Sequence, residues 1–283
     1  MTPRSLPAFV EKAPLLRLAS LAIFAALLAP APVRAADPCP DIALSVAALK
    51  DGDAFQASTE LFAAARLGCE PEARALLDRG AAIDGRDREG ATPLARAAKA
   101  GKIKLVTLLL DRGADVSARS IDGSTPLFYA AEADRAAVVR ALIDRGADPN
   151  VPGRSGVSPL AAAAYDGSEE TVRLLLKHGA DANALDDDGK SAIVYAAGRA
   201  YAPIVALLIE ARVDVNRRYS HGETALMWAA GHDASAGVED VDATLKVLLD
   251  HGAALDLKDD RGKTAADIAR ELGHEPAAAL LTR

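Results

Sequence analysis

Gly90, Gly123, Gly156, Gly189 and Gly222 stand 33 residues apart. Self-similarity at a fixed period of about 20 to 50 residues folds as a row of like units, each packed on its neighbours, without one central core. Behind the glycines the phrase continues as Thr92-Pro93-Leu94, Thr125-Pro126-Leu127, Ser158-Pro159-Leu160, Ser191-Ala192-Ile193 and Thr224-Ala225-Leu226. An Ala-Ala pair then recurs: Ala97-Ala98, Ala130-Ala131, Ala163-Ala164, Ala196-Ala197 and Ala229-Ala230. A second ladder, Gly80, Gly113, Gly146 and Gly179, keeps the same interval inside Asp-Arg-Gly-Ala and His-Gly-Ala-Asp phrases. Seven units follow from this spacing. Their first helices begin near Thr59, Thr92, Thr125, Ser158, Ser191 and Thr224, and a degenerate seventh near Thr264.

Within each unit the hydroxyl residue can cap the first helix, and Pro93, Pro126 and Pro159 fall at its first position, where no donor is lost. Alanine lets these inner helices approach closely while keeping helix propensity. The outer helices carry the bulk: Val106, Leu109 and Leu110 recur as Val139, Leu142 and Ile143, and on to Leu245, Leu248 and Leu249. That spacing predicts a buried stripe.

These phrases resemble the ankyrin-repeat family, and the resemblance runs in register from about Ser58 to the C-terminus. It implies an all-α repeat solenoid of helix-turn-helix units with β-hairpin finger loops, and a function of binding rather than catalysis. In that family partner contacts concentrate on finger tips and on the two residues after the Ala-Ala pair. Carried onto this sequence, the second set includes Lys99, Glu132, Tyr165, Asp166, Arg199 and His232; the tips include Arg88, Arg119, Arg154, Arg217, Arg218 and Tyr219. Tyr165, Tyr219 and the Arg217-Arg218 pair are the expected hot spots.

The first 35 residues read differently. Arg4, Lys12 and Arg17 lead into the apolar run Leu18 to Ala29, then prolines and the small-residue site Val33-Arg34-Ala35, the pattern of a secretory signal peptide. The run is shorter than the roughly 20 residues that span a bilayer. The expected organisation is a signal peptide at 1–35, a capping helix within 36–57 and the repeat array at 58–283, in a periplasmic or secreted monomer. Loss of residues 1–35 leaves 29 Lys and Arg against 39 Asp and Glu, a net charge of −10. Such a charge disfavours nucleic acid and anionic membrane as partners, leaving a folded protein.

An exported chain meets conditions in which disulfides persist. Cys39 precedes a short helix at Asp41–Lys50 and Cys69 follows Gly68 in the first inter-helix turn, so both fall on one rim. A Cys39–Cys69 bridge is expected there, with two free, partly buried thiols as the alternative.

Three positions depart from the repeat: Asp134 and Ala200 replace the turn glycine, and Arg212 the glycine after the fifth outer helix. If positive φ is needed, each costs up to about 1 kcal/mol. Between Gly222 and Gly262 the interval lengthens to 40, placing an insertion within Gly231–Ala243 that gathers His232, Asp233, Glu239, Asp240 and Asp242. The spacing matches no metal motif, so no metal or cofactor is assigned; a metal-binding or enzymatic role through 231–243 and a secreted effector that binds a host protein are the alternatives. The sequence holds no nucleophile elbow, dinucleotide-binding or phosphate-loop signature to anchor catalysis.

Overall fold

A computed structural model describes residues 39–50, 52–231 and 238–282, and all its regular elements are helical. They are α1 (Cys39–Ala48), then seven pairs: α2 (Ala54–Leu67) with α3 (Glu70–Asp78), α4 (Pro93–Lys99) with α5 (Ile103–Asp111), α6 (Pro126–Glu132) with α7 (Ala136–Asp144), α8 (Pro159–Tyr165) with α9 (Glu169–Lys177), α10 (Ala192–Gly198) with α11 (Ala202–Glu210), α12 (Ala225–Ala230) with α13 (Val238–Asp250), and α14 (Ala265–Glu271) with α15 (Glu275–Leu280). We number the pairs as repeats one to seven. Each inner helix packs on the next inner helix, and each outer helix on the next outer one.

The caps fix the register. The hydroxyls of Thr92, Thr125, Ser158, Thr224 and Thr264 each accept the backbone N–H three residues on, satisfying one orphan donor of the helix. Ser191 makes no such bond; its buried hydroxyl faces the Tyr219 phenol of the next finger. Repeat one differs from expectation. Asp53 caps α2 through Gln56 N, so the helix starts at Ala54 and Thr59 lies inside it, its hydroxyl returned to the Phe55 carbonyl. No finger precedes this helix, so an extra turn and more takes the finger's place.

Leu109, Leu142, Leu175, Leu208 and Leu248 of the outer helices are fully buried, as are the inner Ala pairs. That is the continuous layer core the repeat predicts. The loops after the outer helices latch onto one another: Asn150 accepts from Asp181 N at 2.8 Å and donates to the Gly179 carbonyl at 3.0 Å, and Asn216 does the same with Ala254 and Gly252. Asp84 accepts from Asp115 N in the equivalent place.

The fingers are simpler than the expected β-hairpins. Each closes on one backbone rung at its base, such as Ser120 N to Ser124 O at 3.0 Å, over a turn bond such as Gly123 N to Ser120 O at 3.0 Å, and joins a neighbour through a further bond, such as Ile121 N to Glu89 O at 3.0 Å. One rung is too little for a ladder, so no strand forms among the described residues.

Asp134, Ala200 and Arg212 all adopt positive φ, at 52°, 59° and 66°. Ser155 and His221 do so as well, within one-turn 3-10 helices at two finger tips, a feature the repeat pattern does not announce. Asp134 is compensated. Its carboxylate accepts the hydroxyl of the fully buried Thr171 on the next outer helix at 3.0 Å.

The insertion is in part helix. Val238–Ala243, expected as loop, extends α13 to 13 residues, while His232 and Asp233 lie outside the described residues. At the N-terminus Cys39 and Cys69 form a disulfide that ties α1 to repeat one. Arg79 adds to the tie by donating to the carbonyl of Val46 at 2.7 Å, near the end of α1. No helix among the described residues is long and apolar enough to cross a membrane.

Candidate protein-binding site

Three inner helices carry, four residues after the cap, a side chain that reaches its own finger. Arg96 donates to Asp87 at 2.6 Å, Tyr129 to Ser120 at 3.2 Å, and Tyr195 to the Asp186 carboxylate. These aromatics therefore brace fingers as well as filling space between layers. Burial and the Asp186 charge both push the Tyr195 phenol far above its usual range.

Repeat four breaks the column. Its residue is Ala162, and the matching finger residue is Gly153, so neither side chain crosses the gap. The gap is a cavity of about 520 Å³. The buried Phe128, Ala161 and Ala162, with the half-buried Val157, supply its apolar surface; Lys99, Glu132, Arg154, Tyr165, Asp166 and Tyr195 supply polar and aromatic walls.

The walls are electrostatically organised. Glu132, largely buried, sits between Lys99 at 3.3 Å and Arg154, whose guanidinium reaches it from the finger. Asp166 has its carboxyl raised above the ordinary range, first by burial and then by the Glu132 charge, against the opposing pull of Arg199 and Arg154. Tyr165 is 47% exposed, stands edge-on to Tyr195 at 5.8 Å, and carries the Arg199 guanidinium 5.0 Å from its ring centre. A cation over a ring face is held by the ring's quadrupole, which fixes Arg199 beside the opening. Concave, mixed apolar and charged, the site can take a large side chain of a partner and pair its polar end.

Five of the twelve residues expected to touch a partner thus come together here: Lys99, Glu132, Arg154, Tyr165 and Asp166, with Arg199 alongside. Others do not. Tyr219 is 8% exposed and belongs to the core, with Arg217 over its ring at 5.5 Å, so it is no contact for a partner. It stands where the preceding fingers have Asp87, Ser120, Gly153 and Asp186, and its larger ring turns into the core. Arg119 and Arg218 are clamps: Arg119 donates to the carbonyls of Gly123 at 2.9 Å and Pro152 at 3.0 Å, and Arg218 to Gly222 at 3.1 Å and the Asp260 carboxylate at 3.2 Å. Arg88 lies on the first finger, remote from the cavity in the row of repeats, and His232 is outside the described residues. Residue-by-residue carry-over missed Phe128, Gly153, Val157, Ala161, Ala162 and Tyr195. The signal that could have found them was the Gly153 and Ala162 pair interrupting a bulky column.

Among the described residues one set of potential metal ligands converges, Cys39, Cys69 and Glu72. Its two sulfurs are bonded to each other, which leaves no thiolate to ligate.

The ankyrin-repeat family model of three copies matches residues 33–120, 61–153, 117–186 and 160–239, and the single ankyrin-repeat model matches 221–260. None of the curated proteins matches the sequence. The solved structures include the human ASB11 ankyrin repeat domain, 25% identical, with a TM-score of 0.68 over 78% of this chain and 96% of that one. With the helix pairs, the short fingers and the family models in one register over most of its length, the chain belongs to the ankyrin-repeat family.

Proposed function

We propose that this protein is an exported scaffold or inhibitor that grips a folded protein partner through the cavity of repeat four and the surface around it. Ankyrin-repeat domains are in general protein interaction scaffolds, and the reading for this chain is carried by one observation. Lys99, Glu132, Arg154, Tyr165 and Asp166, drawn from three inner helices and a finger, converge on a preformed opening. Preformed walls lose little side-chain entropy on binding, which favours affinity per contact. The half-exposed Tyr165 flanked by Arg199 is the kind of anchor that dominates interfaces.

The leader at 1–35 supports export, and the acidic net charge supports a neutral or basic protein over nucleic acid or anionic lipid. N-terminal sequencing of the protein recovered from periplasm and from culture medium tests the export: a mature start at Ala36 in the periplasmic fraction is expected, and an intact leader in the cytoplasm overturns it. For the site, capture from the same fraction is compared between wild type and a Tyr165→Ala, Asp166→Ala, Arg199→Ala variant whose melting is unchanged. The expected outcome is loss of the captured protein. An identical captured set rejects the cavity as the binding surface.

A further inference from the structure

A second opening lies at the start of the row, between α2 and the first finger, with a volume of about 880 Å³. Its origin is the missing finger before repeat one. Where later repeats lay a finger against the inner helix, here α2 runs on for 14 residues and leaves its face to solvent. Phe55 is 85% exposed on that face, and Phe62, half-buried, lines the same opening. An exposed phenyl ring beside a half-buried one at a single cleft marks a contact surface.

The charge of the cleft runs against that of the chain. Its lining includes four arginines, and two of them are committed: Arg96 to Asp87 and Glu89, Arg86 to the carbonyls of Gly90 and Arg119. Arg66 and Arg88 are exposed and make no ion pair among the described residues. A protein of net charge −7 thus keeps two guanidiniums without an ion pair among the described residues beside one exposed and one half-buried ring. Guanidinium is weakly hydrated and forks onto carboxylates, so these groups have an anion as their natural complement.

We propose that this cleft binds an acidic segment of a partner protein that carries a bulky apolar residue, with carboxylates taken by Arg66 and Arg88 and the apolar side chain laid on Phe55 and Phe62. The proposal rests on the protein-binding reading but uses none of the residues around the cavity of repeat four, so the two fail separately: the Tyr165 variant leaves this cleft intact.

The test is NMR titration of the isotope-labelled protein with a synthetic acetyl-Glu-Glu-Asp-Leu-Phe-Glu-amide. Two control peptides replace the acids by lysine or the Leu-Phe pair by glycines, and phosphatidylglycerol vesicles form a further arm. The acidic apolar peptide is expected to shift the Phe55, Phe62, Arg66 and Arg88 signals. Arg66→Ala with Arg88→Ala, and separately Phe55→Ala, all exposed and so tolerated by the fold, are each expected to weaken it by about tenfold or more. No shifts at these residues, equal shifts from either control peptide, or tighter binding to vesicles that the same variants abolish would overturn the proposal.

Discussion

The ring of Phe128 lies against the backbone of Gly153, so near that a Cβ built at position 153 would stand 2.6 Å from two ring carbons. Phe128 is 1% exposed, so the ring has one soft direction of escape, toward the adjoining cavity. Gly153→Ala should therefore lower stability by about 1–3 kcal/mol, as overpacking does, and narrow the candidate site together. Pairing it with Phe128→Leu should return most of the melting temperature. A Gly153→Ala protein that melts with wild type shows the contact to be loose.

The period made most of the fold readable, because a unit that cannot bury its apolar stripe alone repeats that stripe visibly. Cap hydroxyls, Ala pairs and outer leucines each occupy the role their spacing assigns. What the repeat could not convey lies where neighbours decide. Tyr219 occupies a tip column, yet the space beneath its finger draws the ring into the core. Arg119 reads as an exposed tip, but its reach of one repeat to Pro152 O is visible only once the fingers are stacked. The cavity itself is made by what is missing at Gly153 and Ala162, and a search for chemically capable side chains passes over an absence.

The three non-glycine residues in glycine's place are not equivalent. Arg212, exposed at φ 66°, ends the fifth outer helix with no side-chain bond among the described residues, so Arg212→Gly relieves left-handed strain and should stabilise by about 0.5–1 kcal/mol after the greater unfolded-state entropy of glycine is subtracted. Asp134→Gly relieves similar strain but strands the buried Thr171 hydroxyl, a cost of about 1–3 kcal/mol. Urea unfolding of the two variants should therefore move in opposite directions. Parallel shifts would remove the Asp134–Thr171 bond from the account.

The disulfide closes a loop of 30 residues of sequence separation, and in the chain-entropy model such a link stabilises by about 3–4 kcal/mol. Cys69 itself is 1% exposed and α1 packs chiefly on the two helices of repeat one, so the loss should be local. Hydrogen exchange on a Cys39→Ser, Cys69→Ser variant should show α1 and α2 opening while α6 to α11 keep wild-type protection. Uniform loss along the row would mean that the link supports the whole array.

The C-terminal finger should contribute to the response to acid. Burial alone would raise the Asp259 carboxyl, but the N–H of Lys263 at 2.8 Å, the Arg261 guanidinium at 2.8 Å and the N–H of Arg261 at 2.9 Å hold it below the ordinary carboxylate range. Asp267, bonded by the N–H and hydroxyl of Thr264, is lowered in the same repeat. A depressed folded value means that the unfolded chain takes up protons first. The stabilisation is then whole above the unfolded carboxylate value near about 4 and is lost as pH falls through the folded one. Asp259→Asn should accordingly melt below wild type at neutral pH, with the gap closing toward pH of about 3 as wild type loses the same charge. Amide exchange should place the change in α14 and α15. A gap that stays constant from neutral to acid would assign the loss to shape and not to the carboxylate's charge.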